Sequence, residues 1–257
     1  MTVEKLDTME KELSFDISPA LGDCSSCEYR STLLAQEKCK PADACIQVKS
    51  GRQIDRFLRN NPGLADQYLN DDFWETRAIA VRYASQTKLT ALINDEDEVV
   101  RRAVAYRIPS DELVNMISDV DREVRITVAD RISPEHLEKM ANDSDYLVRA
   151  YVTRRLPKGR LFRMICDPDM QVRKEVARRI PEASLALMAD DSEADIRRLV
   201  AERMPADEAV IFLKDKDWMV RLTAVEKVDI DVLLAMKEED PEQEVSSAIK
   251  KRISEET

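Results

Sequence analysis

Glycine is nearly missing from this chain. There are four in 257 residues, Gly22, Gly51, Gly63 and Gly159, each isolated. None belongs to a phosphate-cradling or dinucleotide-binding fingerprint, so those classes are excluded. Histidine is scarcer still, with His136 alone, and aromatic residues make up 5%. No nucleophile stands beside an evident base, and enzymatic activity is not expected. Positive charge is also short. Forty basic residues face 51 acidic ones, a net charge of −11, which argues against a nucleic-acid partner, since phosphate binders depend on uncompensated positive charge. The N-terminal stretch MTVEKLDTMEKELSFD is charged and lacks an apolar core. Neither a signal peptide nor a membrane anchor is expected there, and the expected location is the cytoplasm.

What the chain has in abundance is repetition. Arg77, Arg101, Arg125, Arg149, Arg173, Arg197 and Arg221 lie 24 residues apart without a slip. A fixed period of this size marks supersecondary units that cannot bury their apolar faces alone and stack on one another. Val100, Val124, Val148, Val172, Ile196 and Val220 open an apolar stripe. It continues four residues on (Val104, Val128, Val152, Val176, Val200) and four further (Ile108, Ile132, Leu156, Ile180, Met204), with Ala105, Ala129, Ala177 and Ala201 widening the face. Steps of four predict a helix of about three turns. Pro109, Pro134, Pro157, Pro181 and Pro205 stop it. Leucine and methionine then recur three apart, as in Leu113 and Met116 or Leu137 and Met140, in a space that fits only a short α or 3₁₀ turn.

Two acidic columns accompany the arginines. Aspartates recur at 71, 95, 119, 143, 167, 191 and 215, with Glu239 continuing the series, and the expectation is that they cap the helices. A second acid follows two residues later, four before the arginine, in the favoured orientation for an i, i+4 pair. Salt bridging within and between repeats is the expected role of the arginines, with a cost of about 0.5 to 3 kcal/mol for Arg149→Ala, more if the guanidinium is enclosed between neighbouring acids. The last copy lengthens by one residue, places Val245 at the apolar position, and reads as a C-terminal cover.

Before the repeats, Cys24, Cys27, Cys39 and Cys45 fall within 22 residues as DCSSCEYRSTLLAQEKCKPADAC. In a reducing compartment four close thiols more often hold a metal or a cluster than disulfides. The short CxxC lets two thiolates reach one centre, and the other pair returns after a brief helical excursion. An iron–sulfur cluster, zinc, and free or disulfide cysteines all remain open on spacing alone. The fifth, Cys166, stands in a polar column before a helix start and reads as an inert turn thiol.

A CxxC and CxxxxxC module followed by repeats of the type D-x-D-x-x-V-R-x-x-V-A-x-R-I-P-x-x-x-L-x-x-M resembles the leucine-rich repeat variant family over residues 21 to 253. That resemblance implies an all-α, right-handed superhelical solenoid of about seven 24-residue repeats alternating α- and 3₁₀-helices. It also implies a [4Fe-4S] cluster held by Cys24, Cys27, Cys39 and Cys45, and an association with nitrogen-fixation genes. Three parts follow: a tail (1–20), a cluster module that also covers the N-terminal end of the stack (21–70), and the repeats with their C-terminal cover (71–257). The first full repeat departs from the pattern, with Phe73 in place of the second acid and Ala80 and Ala84 thinning the stripe.

One column varies in chemistry: Trp74, Glu98, Arg122, Tyr146, Met170, Ala194 and Trp218. Large residues at variable solenoid positions are where partners are read, so Trp74, Tyr146, Met170 and Trp218 are the candidate protein-binding surface. Two functions are expected from this layout. The chain is either a non-enzymatic redox or protein-interaction adaptor, or a plain binding scaffold whose metal site is only structural.

Overall fold

Apolar residues every four positions, cut off by proline, are realised as a succession of short helices. The computed structural model describes residues 21–236 and 239–256, so the expected tail at 1–20 lies outside the described residues. The chain divides into two compact units, Met1–Pro109 and Ser110–Thr257. In the first, α1 (Gly51–Asn60), α2 (Trp74–Tyr83) and α3 (Glu98–Ala105) pack in succession. Short helical segments at Pro62–Tyr68, Gln86–Leu89 and Thr90–Leu92 join them. In the second, α4 (Arg122–Arg131), α5 (Tyr146–Arg155), α6 (Met170–Arg179), α7 (Ala194–Arg203), α8 (Trp218–Lys227) and α9 (Gln243–Glu256) do the same. Between most of them lie 3₁₀ segments such as Lys158–Met164 and Glu182–Met188. The expected alternation of α and 3₁₀ is therefore present.

The apolar columns form the cores of both units. Val100, Val104 and Ile108 are fully enclosed, as are Val148, Val152, Leu161, Val172 and Leu185. Five such residues per repeat, at about 2 kcal/mol each, are set against about 1 to 2 kcal/mol of ordering cost for each of 24 residues. No copy is stable alone, and the interfaces between copies carry the fold.

The acidic columns exchange the roles expected of them. The second acid is the helix cap: Asp97 accepts from the Val99 N–H at 2.9 Å, Asp145 from Leu147 at 2.8 Å and Asp169 from Gln171 at 2.8 Å. The first aspartate lies two residues further out. There its Oδ1 takes the N–H of the residue two ahead, as Asp143 does with Asp145 at 2.9 Å. That local turn aims the carboxylate at the arginine of the preceding repeat. Arg125 donates to Asp143, Arg149 to Asp167, Arg173 to Asp191 and Arg197 to Asp215, each through Nε and Nη2. Nη1 of the same arginine donates to the carbonyl of its own repeat's aspartate, 2.8 Å for Arg149 and Asp143. One guanidinium thus ties its own turn to the next repeat. In the last copy Arg221 pairs with Asp240, not Glu239, because of the one-residue insertion; Glu239 is exposed and meets Lys250 at 2.8 Å.

A second basic column, six residues after the first, has an unforeseen use. Arg155 donates to the Ala129 carbonyl at 2.8 Å, Arg179 to Leu156 at 2.9 Å and Arg203 to Ile180 at 2.8 Å. Arg107 does likewise with Val81 at 2.7 Å and Ala84 at 3.1 Å. The last carbonyls of a helix have no partner within it, and a cation from the next repeat satisfies them.

The ladder makes stability depend on acid. The Arg221 hydrogen bonds hold the Asp240 carboxyl below its ordinary value, outweighing burial. At Asp191 and Asp215 burial pushes the other way, but Arg173 and Arg197 with a backbone N–H prevail, and both stay depressed. A carboxyl depressed by folding contributes stability that is complete above its unfolded pKa, about 3.9, and lost as pH falls through the folded value. Urea midpoints should therefore hold from pH 7 to about 5 and drop steeply below about 4. A midpoint unchanged between pH 5 and 3 would show that these pairs contribute nothing.

Candidate metal centre

The four motif cysteines line one small recess together with Tyr29, Lys40, Ala44 and Phe57. Local chemistry accounts for each placement. Asp23 binds the Ser25 N–H at 2.8 Å and the Ser26 hydroxyl at 2.8 Å, closing a turn that presents Cys24 and Cys27 to the same side. The Ser25 hydroxyl, then that of Ser26, then the Ser25 N–H hold the Asp23 carboxyl down to about 2. A single π-type turn at Arg30–Leu34 follows. Glu37, at φ 56°, reverses the chain in the left-handed region, which a side chain occupies at a cost of about 1 to 3 kcal/mol. Lys40 and Ala44 then exchange backbone hydrogen bonds of 2.9 Å each way around Ala42, φ 63°. That small loop brings Cys39, just before it, and Cys45, just after it, back together.

The recess is built close to its first strand of backbone. A Cβ at Gly22 would stand 2.7 Å from the Cys45 sulfur, so only glycine leaves that thiol its position. All four cysteines are partly exposed and none is in a disulfide. Burial pushes the Cys39 thiol up, and Cys27, Cys24 and Cys45 push it further the same way. A thiol that resists ionising among three others is one that a cationic centre would ionise and hold. Among the described residues no three such side chains are placed to hold a metal ion, but the chemistry of the donor set, four thiols lining one recess, suits a tetrathiolate centre.

Support for the cysteine frame comes from outside the motif. Asn61, buried at the end of α1, donates to the Lys38 carbonyl at 3.0 Å and to that of Phe57 at 2.9 Å, anchoring the residue before Cys39. The Tyr29 and Tyr68 hydroxyls meet at 2.8 Å. Burial and then the Tyr29 hydroxyl raise Tyr68 well above the ordinary tyrosine value, so it remains protonated. Tyr29 packs on Phe57 with centroids 5.4 Å apart, and Phe57 meets Tyr68 edge-on at 6.3 Å. Ile54, Phe57 and Leu58 are enclosed as the apolar end of the first unit, with Ala65 and Leu69, whereas Leu64 is only half-buried.

The expected partner residues stand at the first position of their helices. Trp74, in the first unit, is 38% exposed; in the second, Tyr146 and Trp218 are 42% and 37% exposed, and Met170 is half-buried. Cys166 is exposed and is not among the recess residues. No helix among the described residues is long and apolar enough to cross a membrane.

Fold and recess together define a helical-repeat protein with an N-terminal four-thiol module. Comparison gives that class a family. The profile described as "LRV protein FeS4 cluster" matches residues 21–67, and that described as "Leucine rich repeat variant" matches residues 122–145. A solved structure titled as a leucine-rich repeat variant with a novel repetitive protein structural motif is 57% identical. It covers 91% of this chain and 99% of its own, with a TM-score of 0.86. The chain therefore belongs to the leucine-rich repeat variant family, and its cysteine module matches the family's iron–sulfur segment. A curated relative is described as an uncharacterized 27.7 kDa protein in the nifB 3′ region of Rhodobacter capsulatus. It is 37% identical over 88 residues, which are 34% of this chain and 36% of that protein. The match thus spans about a third of that relative's length.

Proposed function

We propose that this chain is a [4Fe-4S]-carrying, non-enzymatic redox or protein-interaction adaptor that works in the cytoplasm. The observation that carries this reading is the convergence of Cys24, Cys27, Cys39 and Cys45 on one recess, within the segment that matches the iron–sulfur profile. Those four thiolates would hold the cluster, which when bound supplies a one-electron couple. Asp23 and Gly22 shape the first thiolate pair, the Lys40–Ala44 loop shapes the second, and Tyr29 and Phe57 exclude water from one side. Partner binding is assigned to the first-turn column: the exposed Trp74 in the first unit and, in the second, the exposed Tyr146 and Trp218 with the half-buried Met170. Aromatic residues are the side chains that most often dominate such contacts. A protein partner suits this surface, whereas the net charge of −11 opposes nucleic acid. The relative's position in the nifB 3′ region supports a bacterial setting.

Anaerobic purification followed by iron and sulfide analysis and a visible spectrum tests the cofactor. Broad absorption near about 400 nm with roughly four irons per chain is expected. Stoichiometric zinc without colour would overturn the assignment. Voltammetry then separates adaptor from scaffold: a reversible couple within the cellular range is the result expected, and a cluster too negative to reduce would leave it a structural clasp.

A further inference from the structure

Tyr29 forms one wall of the thiol recess, beside Cys24, Cys27 and Cys39. Besides Glu28 next to it, two groups from outside the cysteine segment hold its ring: Phe57 packs against it at 5.4 Å and the Tyr68 hydroxyl meets its own at 2.8 Å. Tyr68 closes the 3₁₀ segment Pro62–Tyr68, 39 residues away, and braces Phe57 edge-on. We propose that Tyr29 is the movable wall of the cluster recess and Tyr68 its latch, so that this one hydrogen bond limits how often water and dissolved oxidants reach the cluster. The inference rests on the reading that the recess holds an iron–sulfur cluster. It assigns Tyr29 and Tyr68 as positioning residues; neither is a ligand.

The geometry favours a latch over simple packing. The two rings stand on separate pieces of chain, and Phe57 lies against both. Removing either hydroxyl leaves both rings and the contact with Phe57 in place, yet frees Tyr29 to swing away from the sulfurs. All four thiols are only partly covered, so a displaced ring exposes them further. Solvent that enters would also solvate the more negative, reduced cluster better than the oxidised one, moving the potential upward.

The test uses the full-length, cluster-loaded chain and three variants, Tyr68→Phe, Tyr29→Phe and the double replacement. Cluster bleaching in air-saturated buffer is followed at its visible absorption, with potentials from voltammetry. Each single replacement should speed bleaching about fivefold, the equivalent of about 1 kcal/mol for one hydrogen bond, and shift the potential positive. The double variant should equal Tyr29→Phe, because the bond that Tyr68→Phe removes is then already gone. Urea unfolding of the repeats should not change. Tyr68→Phe that is fully loaded, yet bleaches at the unmodified rate and keeps its potential, overturns the latch. So does a double variant whose effect is the product of the two singles, since the hydroxyls would then act separately. Failure of the underlying reading is visible earlier, as absence of iron and sulfide from the unsubstituted chain.

Discussion

Replacing Cys39 with alanine, or stripping the metal with a chelator, should release residues 21 to about 70 to rapid hydrogen exchange while residues 110–257 stay protected. The reason is that a site absent from the unfolded chain contributes its binding energy to folding. Within the cysteine segment there is one short helical turn, one two-residue bridge and two residues in the left-handed region. Little of that would persist unaided. Its loss uncovers Phe57 and loosens the cover over Ile54 and Leu58, all of them enclosed in the intact unit. Full burial of such side chains is worth about 1.5 to 3 kcal/mol each. Losing half of it, about 3 kcal/mol, makes opening more than a hundredfold more frequent. In a nearest-neighbour stack the damage then spreads only to the first stable interface. Uniform protection before and after metal removal would mean that the module hangs on a finished fold. Loss along the whole chain would mean that the repeats have no stability of their own.

The repeats were the most legible part of the chain because periodicity is a property of sequence itself. Every apolar column that the 24-residue spacing marks, from Val100 to Met204, is enclosed. The acidic columns were legible as positions but not as roles. Asp95 and Asp97 both precede a helix, and only the backbone path tells which of them reaches the Val99 N–H and which turns toward Arg77. The basic column of Arg107, Arg155, Arg179 and Arg203 was equally regular. Its partners are carbonyls of the preceding helix, and a backbone acceptor leaves no mark in a sequence. At the candidate site the cysteines announced themselves by clustering. Asn61, Tyr68 and Gly22 did not, because each acts through one contact made by a single residue outside any motif.

Replacing Arg197 with alanine should cost the second unit about 3 to 5 kcal/mol, the range for breaking a buried ion pair from one side. That is the larger cost expected from sequence for an enclosed guanidinium, and burial is the cause. The Arg197 and Asp215 side chains are 4% and 8% exposed. Nε and Nη2 donate to the carboxylate at 2.7 and 2.8 Å, while Nη1 donates to the Asp191 and Ser192 carbonyls at 2.8 and 3.1 Å. Alanine leaves the Asp215 charge and the Asp191 carbonyl enclosed without these donors. The comparison pair is Lys250 with Glu239, whose side chains are 66% and 77% exposed; breaking it should cost about 0 to 1 kcal/mol. Removing Asp215 together with Arg197 should recover part of the loss, since no isolated buried charge then remains. Because Arg197 joins α7 to the turn before α8, its loss weakens one interface in a stack whose cooperativity runs through interfaces. Unfolding of the second unit should split into two transitions, with α8 and α9 melting first. A single transition at an unchanged midpoint would show that apolar packing alone couples the repeats, and that the arginine ladder sets register without holding the stack together.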